Sequence, residues 1–284
     1  MNLLRVDPDI EIDEPVLVIG LEGWIDAGEG AALACRTLLD RPALTVAEAD
    51  ADALFDHRAR RPTLHIEEGV ATSLEWPSLQ IDSVGDDRAR DVMVLHGAEP
   101  DHAWHAFIDE VVAFALDVGV TMVVGLGAYP AATPHTRPSR LSCTASTADL
   151  LDRYPFTRAS IDVPAGIQAA IEHALHQQGV PAIGLWAQVP HYLTGITYPE
   201  AAAALLEGLD PVANRRVDVT DLREQAIGTR SRIDRLIADN DEHVEMLHQL
   251  ETAYDAQLHV DDPPLPTGED LAAEFQAFLR DQDE

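Results

Sequence analysis

A chain of 284 residues that is 46% hydrophobic and 24% charged has the length and apolar content for one large α/β domain with an appendage. Its 50 acidic residues against 19 basic ones give a formal charge of −31, which repels phosphate backbones and anionic lipid and argues against nucleic acid and membrane surfaces as partners. Every basic residue is Arg, so a Schiff-base lysine, a P-loop lysine and a lysine general base are all excluded.

The opening stretch MNLLRVDPDIEIDE turns acidic within a few residues and has no apolar core of signal-peptide length. No run approaches the roughly 18 apolar residues of a membrane span. Cys35 and Cys143 are the only cysteines, which leaves no disulfide framework. The reading is a soluble cytoplasmic protein.

In chain order, residues 15–21 (PVLVIGL) form a near-continuous apolar run that suits a strand covered on both faces. A glycine-bearing turn follows, IGLEGWIDAGEGAALA, and leads into a helical pattern over 29–39. Shorter strand candidates lie at 63–66 and 79–84, and a second strong run at 91–95 (DVMVL) precedes a helix over 103–117, with Gly119 as its stop. A third run, 120–126 (VTMVVGL), is followed by short strand candidates at 140–144 and 158–162. A helix over 165–178, entered through Pro164 and left through Gly179, leads to the fourth strong run, 181–187 (PAIGLWA). Strand–helix alternation of this kind predicts a doubly wound sheet with right-handed crossovers.

After about Pro211 the character changes. Residues 218–257 carry apolar positions at spacings of three and four and read as one or two long amphipathic helices, with 239–241 as a break. A proline clip at 261–266 and a short helix over 269–280 close the chain. The expected organisation is an α/β domain over 1–210 and a helical extension over 211–284, folded back on that domain because its apolar residues need cover.

Each strong run leads into a loop with unusual side chains. In a parallel sheet the carboxyl ends of the strands share one rim, where ligands of open α/β folds bind. Asp26, Glu99, His135, Arg137 and His191 would all stand there, with Trp24 beside Asp26. Two readings stay open. The loops can be turns and interface surfaces that use Pro and Gly to re-aim the chain. They can also form a small-molecule site, with a His–carboxylate pair as acid and base and Arg137 as an anion clamp.

Several chemical templates fail. There is no G-x-S-x-G elbow, and S-x-x-K is impossible without Lys. Cys35 falls in a helix and Cys143 in a strand, so both read as small core residues. His102 and His105 share a helical face with Asp101 beside them, a spacing that metal sites use, but a lone pair of His on a wet helix end is more often no site, so no metal is assigned. The glycines of the opening turn, Gly20, Gly23, Gly28 and Gly30, are out of register with G-x-G-x-x-G. Glu22, Asp26 and Glu29 would face a phosphate with like charge. No nucleotide or other cofactor is expected.

Five stretches in order nevertheless form a set. GLEGWIDAGEGA, then DHRARRP at 56–62 with Glu75-Trp76-Pro77, then HGAEPD at 96–101 with Trp104, PHTRP at 134–138, and LWAQVPHY at 185–192 resemble the proteasome assembly chaperone 2 family, in its actinobacterial branch. The resemblance runs from about residue 15 to 280. It implies a three-layer α/β/α fold with a mostly parallel sheet, similar to the phosphorylase/hydrolase-like group. It also implies self-association, as a trimer in bacterial members, and a non-catalytic role beside proteasome subunits. The family supplies no agreed catalytic residues, so none is assigned. Some proteasome-binding relatives dock through a tail ending hydrophobic–Tyr–any residue. The final residues 280–284 (RDQDE) lack that pattern, so contact through the folded surface is expected.

Overall fold

The computed structural model describes residues 2–9, 12, 14–23, 25–85, 92–158 and 160–257. The expected proline clip and the helix over 269–280 lie outside the described residues. In chain order the elements are β1 (Leu4–Val6), β2 (Val16–Glu22), α1 (Gly30–Leu39), β3 (Ala43–Ala49), α2 (Ala51–Leu54), β4 (Thr63–Glu67), β5 (Val70–Glu75), β6 (Leu79–Val84), β7 (Val92–Ala98) and α3 (Trp104–Asp117). They continue with β8 (Met122–Ala131), β9 (Leu141–Ala145), α4 (Ala148–Leu151), α5 (Ile167–Gln177), β10 (Ala182–Pro190), α6 (Pro199–Ala213), α7 (Thr220–Ala238) and α8 (Asp241–Gln257).

Eight strands form one sheet in the order β1-β3-β6-β7-β2-β8-β10-β9. The four runs that are apolar almost throughout become the centre, β7-β2-β8-β10, and all three of their pairings are parallel. Both flanks turn back: β6 pairs antiparallel with β7, and β9 with β10. Because β3 is antiparallel to β6, it shares the direction of the centre, so five of the eight strands run one way.

Side-chain alternation sorts the centre into two cores. Val16, Val18, Val124, Leu126, Ile183 and Leu185 pack toward α1 and α6, whereas Leu17, Ile19, Met93, Leu95 and Val123 pack toward α3 and α5. The result is the three-layer α/β/α arrangement, with the sheet between two helical layers. Among the described residues no helix is long and apolar enough to cross a membrane.

Four features depart from the sequence reading. The described residues of the expected 158–162 strand, 158 and 160–162, form none; Thr157 makes one isolated bridge to Ser142, and residues 160–166 run irregularly toward α5. β1, β3 and β5 were not foreseen. Nor was α6, whose Ala-rich body is buried along most of its length; a helix that is apolar all round belongs in a core. It continues through Pro211 to Ala213 and ends at Asn214, in the left-handed conformation, so the change of character comes a few residues later than the composition indicated. The 218–257 segment divides into α7 and α8 at the expected break.

Candidate functional site

The carboxyl rim can be followed strand by strand. After β2, Asp26 bridges to Ala128 of β8. Its carboxylate accepts hydrogen bonds from the Ala31 and Ala32 amides, at 2.7 and 3.0 Å. It therefore closes the N-terminus of α1, where a negative charge is favoured. Burial raises its pKa above the usual carboxylate value, against the pull of those two amides. Trp24 lies outside the described residues.

The glycines of this turn serve close packing. Gly28 has φ +63°, and a Cβ there would collide with Tyr198. Its amide donates to Thr194 O, and Tyr198 N donates back to Gly28 O, which ties the turn to the loop after β10. A Cβ on Gly20 would strike Cys35 Sγ. Burial pushes that thiol up to about 12.

Glu99, after β7, plays the same part for another helix. Its amide donates to Glu22 O, and its carboxylate accepts from the Ile167 amide at 2.8 Å, capping α5. Asp26 and Glu99 are thus both engaged with backbone amides at helix starts.

The loop after β8 carries His135 and Arg137, and α7 and α8 close over it. The His135 ring is fully buried. Tyr192 Oη accepts from the His135 amide and lies 2.8 Å from Nδ1, while Nε2 lies 3.0 Å from Asp234 of α7. These distances suit a neutral imidazole in which the phenolic O–H donates to Nδ1 and the Nε2–H donates to Asp234. Burial lowers the His135 pKa, opposed by Asp234, in agreement with that tautomer. Arg137 donates twice to Asp255, at 2.9 and 2.7 Å, and once to Glu251 at 3.1 Å, both on α8. Arg140 adds a bond to Gln257 and stacks 3.7 Å over the Tyr254 ring. His191 is exposed and stands edge-on to Tyr192.

The predicted rim residues therefore separate into a capping pair, Asp26 and Glu99, and a clamped group, His135 and Arg137, with His191 at its margin. Arg137 is held by carboxylates of its own chain. Among the described residues no group of three or more His, Cys, Asp or Glu is placed to hold a metal ion.

A cleft of about 520 Å³ lies on the α5 side of the sheet with Glu99 on its wall, a volume in the range of ligand sites. Gln168 and Glu172 of α5 and Trp186 of β10 line it, and these side chains lie over glycines of the sheet, Gly125 and Gly127 of β8 and Gly184 of β10. A Cβ on Gly125 would collide with the Glu172 carboxyl and the Gln168 amide, and one on Gly127 with the Trp186 ring. The indole Nε1 of Trp186 donates to Thr144 Oγ1 at 3.1 Å. Glu172 accepts from Gln168 at 3.2 Å, and burial pushes its carboxyl up to about 7. Glu172 was missed in the sequence. The available signal was a pair of glycines inside an otherwise bulky buried strand, which marks a close approach by something else.

The match to the PAC2 family model spans residues 20–237, from within β2 to the penultimate residue of α7. The chain belongs to the PAC2 family. Among solved structures, the Mycobacterium tuberculosis protein of unknown function Rv2714 is 31% identical, covers 90% of each chain and superposes with a TM-score of 0.84. The M. tuberculosis proteasome-assembly chaperone homologue Rv2125 is 35% identical over 82% of this PAC2 chain and 99% of its own, with a TM-score of 0.74. Pyrococcus furiosus PbaB, an archaeal proteasome activator, shares the fold at a TM-score of 0.64 and 19% identity, over 83% of this chain and 99% of its own. No curated protein matches the chain in sequence.

Proposed function

We propose that this PAC2 protein is a non-enzymatic protein-interaction protein of the proteasome-assembly type. It works in the cytoplasm as a homo-oligomer of three copies, with proteasome subunits as its partner and no cofactor. The observation that carries the reading is the 35% identity to the M. tuberculosis proteasome-assembly chaperone homologue over most of both chains. The rim chemistry supports it. Asp26 and Glu99 are engaged at helix starts, and Arg137 is paired with Asp255 and Glu251, so the groups that a small-molecule mechanism would use do not converge. Tagged protein isolated from its own host should bring down 20S α-subunits, and adding it should speed α-ring assembly. Recovery of no proteasome subunit, with assembly unchanged, would remove the reading's support.

A further inference from the structure

The cleft beside α5 is separate from the rim group clamped by α7 and α8, since none of its lining residues comes from either helix. One wall is α5, and the other is β9 and its end, with Thr144 and Ser146. Trp186 lies across the base. A Cβ on Gly127 would meet the benzo edge of the indole, and one on Gly184 would meet its pyrrole edge. Opposite edges of the ring therefore sit over two glycines, and the indole lies down along the sheet. Its Nε1 bond to Thr144 Oγ1 fixes it there. Trp186 is only half-buried, so the outer face of the ring is an aromatic platform in the cleft.

Glu172 stands on the α5 wall and is under-bonded. A carboxylate can accept about four hydrogen bonds, and among the described residues Glu172 has one donor, Gln168 at 3.2 Å. Burial makes its negative charge costly. No Arg lines the cleft, and the chain has no Lys. The other ionisable groups that line it are Glu99, which caps α5, and His173 and His176 of the same helix. Two carboxyl groups disfavour an anionic ligand. The complement of this surface brings a positive charge and N–H donors to Glu172 and lays apolar surface on the indole. An ammonium does the first through a charge-assisted hydrogen bond, and the ring quadrupole attracts it as well. Leu21, Ile25, Val163 and Ala169 complete the lining and suit an aryl or alkyl body, for which about 520 Å³ leaves room.

We propose that the α5-side cleft binds a small organic amine, with its ammonium on Glu172 and its apolar body on the Trp186 ring. The inference goes beyond the proteasome reading and does not rest on it. Three probes of similar shape test it on the full chain by titration calorimetry at constant ionic strength: 2-phenylethylamine, 2-phenylethanol and 3-phenylpropionate. At pH 8 the amine should bind roughly tenfold or more tightly than the alcohol, and the carboxylate should not bind. Glu172→Gln keeps the side chain's shape and should remove the preference for the amine while leaving the alcohol's affinity. Because burial places the free Glu172 carboxyl at about 7, amine affinity should rise roughly tenfold from pH 6 to pH 8. That rise should persist in His173→Gln/His176→Gln and be lost when Glu172→Gln is added to that pair. Trp186→Leu should weaken amine and alcohol alike. Equal affinity for amine and alcohol, tighter binding of the carboxylate, a preference that survives Glu172→Gln, or no binding of the amine would each overturn the proposal.

Discussion

Replacing Glu172 by Gln should stabilise the protein at pH 8 and change little at pH 5. The carboxyl rests on the Gly125 backbone with Gln168 as its hydrogen-bond donor, and burial raises its pKa from 4.5 to about 7. A raised folded-state value means that the group's contribution is fully present below pH 4.5 and is lost as pH rises through about 7. At 1.36 kcal/mol per tenfold change in proton affinity, ionised Glu172 costs about 3 kcal/mol at pH 8 and under about 1 kcal/mol at pH 5. The pH 8 figure is an upper bound, because a cleft of about 520 Å³ admits water. Gln keeps the shape and the carbonyl acceptor without the charge. Thermal unfolding of wild type and Glu172→Gln at equal concentration should show a midpoint raised by roughly 5–10 °C at pH 8, and by much less at pH 5. An equal shift at both pH values, or a lower midpoint at pH 8, would refute the argument.

Three further outcomes follow from the same contacts. Gly125→Ala puts a methyl group where the Glu172 carboxyl and Gln168 amide now lie, and should cost roughly 1–3 kcal/mol in urea unfolding, with much of the loss recovered in Gly125→Ala/Glu172→Ala. Arg137→Ala removes three hydrogen bonds to α8; its partly exposed pairs make the global loss about 1 kcal/mol, while amides of 241–257 should exchange markedly faster and those of the central strands should not. Burial lowers the His135 pKa below 6.5, so its contribution is present above pH 6.5 and lost as pH falls through the folded value. Amide exchange in α7, corrected for intrinsic rate, should therefore be faster at pH 5 than at pH 7, and His135→Gln should abolish that difference.

The central strands were legible in the sequence because burial on both faces makes them apolar nearly throughout, as in Val16–Glu22 and Ala182–Pro190. β3 escaped notice because its first three residues are exposed and only Val46 and Ala47 are buried. α6 escaped because four consecutive alanines between Pro199 and Pro211 carry little amphipathic signal. The rim itself could be read, but the engagements of its side chains could not. Glu99 caps a helix that begins 68 residues later, and Arg137 meets Asp255 118 positions away. Such pairings depend on how layers stack, and local spacing does not encode them. Glu172 was hidden for a related reason: it sits on a helix face next to Ile167, Ile171 and Leu175, and only the bare glycine opposite shows that the carboxyl lies against the sheet.

The docking of α8 gives the molecule two opposed responses to salt. Its one buried residue is Tyr254, and much of its attachment is carried by Arg137 and Arg140. The screening length falls from about 10 Å at 0.1 M to about 3 Å at 1 M, which weakens these partly exposed contacts. The same salt relieves the self-repulsion of a body with a formal charge of −31. Raising ionic strength therefore tightens the sheet and its two cores while loosening the helix that braces the rim, and a salt titration at constant temperature separates brace from body.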